Sequence, residues 1–214
     1  MNISPDAQRI LATIDPARTK LGDLRKIAKE IKKDHALAME LWSTGEVLPR
    51  QLAILIMDKK LLSQDVIDGL CADIEAHGFD DQCHLIDWLM ANQLSKDKKT
   101  VAMMESWRDS PSALQRRLFW YHQARLRWMG KTGHDNTDEL LGLIEDGLAG
   151  EQPMVQWAMN FTAGQIGKFE APLRPRCIAL GERIGLYKDE MVAKNCTPSY
   201  LPEFIRIEVA KLSG

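Results

Sequence analysis

The stretch IEAHGFDDQCHLIDWL, Ile74 to Leu89, contains the end of one helix, a corner and the start of the next. Upstream of it Val66, Ile67, Leu70, Cys71 and Ile74 recur at helical spacing, so an amphipathic helix is predicted to run to about His77. Gly78 stands where a left-handed stop favours a residue without a Cβ. A second helix opens at once, with Phe79, Cys83, Ile86 and Met90 as its apolar stripe. Asp81 falls in the first turn of that helix, off the stripe, where aligned amide dipoles favour a negative charge. A carboxylate fixed at the seam of two helices can stabilise a cation. The simpler reading is that Asp80 or Asp81 only caps the helix.

The rest of the chain repeats this grammar. Predicted helices cover Leu21–Lys33, His35–Ser43, Leu48–Lys60, Ser63–His77, Phe79–Leu94, Asp97–Arg108, Pro111–Met129, Thr137–Leu148, Pro153–Phe169 and Ala171–Ile184. Ser110-Pro111 and Gln152-Pro153 each offer a cap followed by proline at the first helical position. No stretch sustains a period of two, so an all-α fold is expected, with helix pairs recurring as in HEAT-type repeats. Nothing marks a domain boundary, and residues 1–214 read as one domain. Its last part, from about residue 190, is a C-terminal arm: NCTPSYLP (Asn195–Pro202) lacks a helical period and precedes a final helical stretch, Glu203–Leu212. Tyr200 and Phe204 are the expected anchors of the arm.

Composition excludes several classes. The 214 residues are 45% hydrophobic and 27% charged, an ordinary balance for a globular chain. No run approaches the length of a membrane-spanning helix, and the N-terminus lacks the pattern of a signal peptide. Cys71, Cys83, Cys177 and Cys196 show no CxxC spacing, which points to reduced thiols in a cytoplasmic protein. The net charge of −2 conceals segregation: Lys96–Lys131 holds nine Lys or Arg against three acids, and Thr132–Asn160 holds six acids with no Lys or Arg. Such a run can form a basic face that a polyanion would meet, or simply a set of solvated helix surfaces.

Two helices carry unusual side chains. In Pro111–Met129, Arg116, Trp120, Gln123 and Arg127 share a basic and aromatic face, whereas Leu114, Leu118 and Tyr121 look like core. Arginine suits phosphate and aromatic faces suit bases or sugars, though arginines can also snorkel from a buried seam. In Pro153–Phe169, Trp157, Phe161, Gly164 and Lys168 lie on one stripe, a pattern equally suited to a core. His77, Asp80, Asp81, Cys83 and His84 crowd together without metal-ligand spacing, so no metal is expected. No P-loop, GxSxG or dinucleotide fingerprint is present.

Four segments in order resemble the AlkD-like DNA alkylation repair proteins: DLRKIAKEIKKDHALAMELWSTG (Asp23–Gly45), DDQ (Asp80–Gln82), SWRDS with QRRLF (Ser106–Phe119) and VQWAMNFTAGQIGK (Val155–Lys168). The resemblance implies a HEAT-like helical-repeat solenoid, an α-α superhelix. It also implies a DNA glycosylase that excises cationic N3- or N7-alkylated purines from double-stranded DNA, alkylated or distorted, as a monomer and without a cofactor. On this reading the catalytic aspartate falls on Asp81 and the DNA-contacting arginine on Arg116, with Arg117 as its neighbour. His77 and Phe161 stand where the family has tryptophans, making this a divergent member. Trp120, Arg127, Trp157 and Lys168 join them as expected DNA or substrate contacts. A concave surface lined by Asp81, Arg116, Trp120, Trp157 and Phe161 is expected. Protonated His77 is expected to pair with Asp81, weakening excision near pH 6. The alternative function is a non-catalytic HEAT-like module that binds DNA structure or a protein.

Overall fold

The computed structural model describes residues 3–130 and 136–212, and every regular element among them is a helix. Lys131, which ends the basic run, residues 132–135 of the acidic stretch and residues 213–214 of the arm lie outside the described residues. The chain divides into two compact units, Met1–Ser106 and Trp107–Gly214.

The first unit contains α1 (Pro5–Leu11), α2 (Leu21–Ile31), α3 (His35–Trp42), α4 (Val47–Ile56), α5 (Gln64–Glu75), α6 (Phe79–Asn92) and α7 (Lys98–Ser106). Helix α1 was not among the expected elements, although Ser4 caps it by accepting from Ala7 N and Pro5 occupies its first turn. Helices α2, α4 and α6 pack side by side in the order α2, α4, α6. The α4–α6 pair runs parallel: Trp88 Nε1 donates to Gln51 O at 3.1 Å, and Gln93 Nε2, further along α6, reaches Ile54 O and Met57 O further along α4. Gln93 thereby satisfies carbonyls that the end of α4 leaves without helical partners. Leu52, Ile54, Ile67, Leu85 and Leu89 are fully buried among them.

The corner between α5 and α6 differs from expectation at Gly78. Its φ of −65° and ψ of 159° are extended, so it is the N-cap of α6 and not a left-handed stop. Gln82 does the work instead, its Nε2 donating to Glu75 O at 3.0 Å and His77 O at 2.7 Å. Phe79, expected in the apolar stripe, is 51% exposed; Leu85, Ile86, Leu89 and Met90 form the buried face.

The second unit contains α8 (Ala113–Trp128), α9 (Thr137–Gly147), α10 (Pro153–Phe169), α11 (Arg174–Ile184) and α12 (Leu201–Ala210). Helices α8 and α10 are again parallel, tied by Arg117 Nη1 to Met154 O at 2.8 Å and Thr162 Oγ1 to Trp120 O at 2.7 Å. Helix α8 starts two residues after Pro111, because Arg116 Nη1 takes the Ser110 carbonyl and Gln115 the Ser110 hydroxyl. The arm does pack: α12 lies on α10 and α11 where glycines remove side chains from its path. A Cβ on Gly167 would come within 2.5 Å of Ile205, and one on Gly181 within 2.6 Å of Leu201 and Pro202. Leu201 and Ile205 are its buried anchors, while Tyr200 and Phe204 are only half-buried.

Candidate functional site

In the first unit the residues of interest gather at the α5–α6 corner. Asp81 is half-buried in the first turn of α6, and no hydrogen bond or ion pair among the described residues engages its carboxylate. His77 does not turn to it. Its Nε2 lies 2.6 Å from Arg50 Nη1. A guanidinium has donors only, so Nε2 must accept and the ring that makes this contact carries its proton on Nδ1. The His77–Asp81 pair expected for a protonated ring is absent from this arrangement, in which His77 meets Arg50 instead. His77, Asp80, Asp81, Cys83 and His84 form no metal-binding group among the described residues.

Arg50 is the residue that sequence reasoning missed. It is buried on α4, donates to Trp42 O at 3.2 Å and Asp73 O at 2.7 Å, and lies 4.8 Å from the Trp42 ring centroid. Trp42 Nε1 in turn donates to Asp73 Oδ2 at 2.7 Å. Burial lowers the guanidinium from its ordinary value and Asp73 opposes that shift. The signal was present as two polar residues, Arg50-Gln51, inside the apolar run VLPRQLAILI.

In the second unit the expected basic and aromatic face is a packed seam. Arg116 grips Glu151 with both edges of its fork, Nε to Oε1 at 2.9 Å and Nη2 to Oε2 at 3.0 Å, and its Nη1 donates to Ser110 O at 2.7 Å. Burial pushes the Glu151 carboxyl up, but the Arg116 and Gln152 hydrogen bonds outweigh it and hold the group below the ordinary range. Arg117 is buried, with its guanidinium carbon 4.5 Å from the Trp157 ring centroid. Arg127 is 1% exposed; it pairs with Glu170 at 3.2 Å and donates to Thr137 Oγ1 at 2.8 Å. Trp120 is buried edge-on against Phe119. The expectation that Trp120, Arg117 and Arg127 face outward is therefore corrected: α10 covers that side of α8.

The aromatic stripe of α10 is partly accessible. Trp157 and Phe161 stack with centroids 5.2 Å apart and planes 11° from parallel. Tyr121, which the sequence placed on the core side, meets both edge-on at 5.5 and 5.8 Å, and half-exposed Trp128 joins at 5.9 Å from Phe161. Gly164 does permit a close approach, but of the arm: a Cβ there would lie 2.8 Å from the Phe204 ring. Lys168 pairs with Glu208 of α12 at 2.7 Å and so anchors the arm. Trp157, Phe161, Asn160, Thr197, Ser199 and Phe204 line a cavity of about 140 Å³.

Among the described residues no helix is long and apolar enough to cross a membrane. The sequence matches a protein-family model described as "DNA alkylation repair enzyme" over residues 18–179. No curated protein matches the chain. A solved structure described as "A new family of proteins related to the HEAT-like repeat DNA glycosylases with affinity for branched DNA structures" superimposes with a TM-score of 0.70 at 20% identity, covering 97% of this chain and 89% of its own. The fold is thus all-α and HEAT-like.

Proposed function

The chain belongs to the DNA alkylation repair enzyme family, and on that premise we propose that it binds damaged duplex DNA and hydrolyses the N-glycosidic bond of purines made cationic by alkylation at N3 or N7. The observation that carries this reading is Asp81, a half-buried carboxylate in the first turn of α6 that no described residue neutralises. Alkylation has already made the base a good leaving group. When the C1′–N bond breaks, its electron pair goes to the base and cancels the base's charge, while positive charge develops on the sugar. Asp81 stabilises that charge; a water then adds at C1′ and its proton passes to the carboxylate.

A second reading is structure-selective DNA binding without excision. It is favoured by the engagement of Arg116 with Glu151 and of His77 with Arg50, and by the affinity for branched DNA of the structural relative. One assay separates the two: release of 7-methylguanine or 3-methyladenine from alkylated duplex. Under the first reading Asp81→Asn lowers release by about 10²–10³ with DNA affinity retained. Wild-type protein that binds duplex or junction DNA and releases no base assigns the second.

A further inference from the structure

A basic surface exists in the first unit, where the opening lysines of the run that the sequence singled out join two earlier segments of the chain. The three turns that leave the C-terminal ends of α2, α4 and α6 read Lys32-Lys33-Asp34, Asp58-Lys59-Lys60 and Lys96-Asp97-Lys98-Lys99, seven lysines against three aspartates. They are neighbours in space. Asp34 N donates to Ile56 O at 3.0 Å, Lys33 Nζ reaches Asp58 at 3.0 Å, and Lys59 Nζ donates to Lys96 O at 2.7 Å. All the lysines but Lys59 are exposed. The aspartates are turned to the backbone, accepting from Leu37 N, Lys60 N and Lys99 N.

Helix dipoles explain part of this, since cations suit helix C-terminal ends. They do not explain Lys98 and Lys99, which open α7, where a positive charge is unfavourable. Successive packed helices lie about 8–10 Å apart, so the three turns carry positive charge over about 20 Å. A small anion would meet one turn; a polymer with regularly spaced charge meets all three. We infer that this lysine edge binds the phosphate backbone of duplex nucleic acid as a contact surface separate from Asp81. The two lie at opposite ends of the 14-residue α6, roughly 20 Å apart along its axis. The inference does not depend on the chemistry assigned to Asp81.

The test is a quadruple variant, K32Q/K60Q/K98Q/K99Q, titrated against an unmodified duplex by fluorescence anisotropy across a salt series. Each phosphate contact contributes about −0.9 to the slope of log K against log salt, so the slope should become shallower by about 3.6. The pair K98Q/K99Q should give about half that change. Unchanged slopes in both lysine variants, with helical circular dichroism intact, overturn the inference whether or not base excision is observed. Leu61, exposed beside Lys60, would also suit a lipid surface. Binding to vesicles of anionic phospholipid that is lost in the variant, with duplex binding unchanged, overturns the nucleic-acid assignment too.

Discussion

Replacing Gly181 by alanine tests how the arm is held and, with it, the wall that Phe204 contributes beside Phe161. The new methyl would sit 2.6 Å from Leu201 Cβ and 2.6 Å from Pro202 Cδ, against a comfortable carbon separation of about 3.5–4.0 Å. Neither atom can swing aside, because one is a Cβ and the other belongs to a proline ring, so the first turn of α12 must shift by about 1 Å. Overpacking of this kind costs about 1–3 kcal/mol. Alanine regains about 1 kcal/mol of helix propensity inside α11, leaving about 0–2 kcal/mol of net destabilisation. Full detachment of α12 is the dearer escape, since exposing Leu201 and Ile205 would forfeit about 1.5–3 kcal/mol each. The helix should therefore stay docked but displaced. The control is Gly69→Ala in α5, which has open space around it and should stabilise by about 0.5–1 kcal/mol. Thermal unfolding reads both at about 2–4 °C per kcal/mol, and hydrogen exchange over Leu201–Ala210 reports the loosened arm. If Gly181→Ala stabilises as much as the control and leaves exchange in α12 unchanged, the packing described here is wrong.

Glu208 links the arm to pH. Burial raises its carboxyl, but Lys168, Lys211 and Thr197 overcome this and bring it from the ordinary 4.5 to about 2. Because the folded value is depressed, its stabilisation is complete above about pH 4.5 and fades as pH falls towards 2. Melting temperatures measured from pH 7 to 2.5 should show that loss, and Glu208→Gln should cost about 1–3 kcal/mol at pH 7 and flatten the profile; a parallel profile for the variant would refute the assignment. Arg50→Met should cost about 2–4 kcal/mol in urea unfolding, since it strands the carbonyl of Asp73 and the His77 ring and removes the cation from the Trp42 face. Asp81→Asn should cost only about 0.3–1 kcal/mol, the helix-dipole contribution, and a larger loss would mean a structural partner for the carboxylate. Glu151→Gln should weaken the hold on Arg116 and steepen the salt slope of duplex binding by about 1 if that arginine then reaches phosphate; an unchanged slope marks the pair as purely structural.

The helices were legible because their causes are local. Periodicity near 3.6, Ser63 before α5, Pro153 opening α10 and the absence of two-residue alternation each act within a few residues, and they carried the all-α assignment. Helix α1 has the same kind of local cause in Ser4-Pro5. Partnership was not legible. Arg116 meets Glu151 thirty-five positions later and Arg127 meets Glu170 forty-three later, each one repeat away, so their neutralisation depends on the register between α8 and α10. The same holds for His77, whose orientation is decided by a buried arginine on α4. Gly164, Gly167 and Gly181 each receive a side chain of α12, and nothing local to them in the sequence names that partner. The lysine edge is divided among three separated segments, and only the parallel packing of α2, α4 and α6 brings their ends together. Short-range backbone preferences are written residue by residue; which charges cancel and which stay exposed is set by contacts between distant residues, and those exist only after the helices have packed.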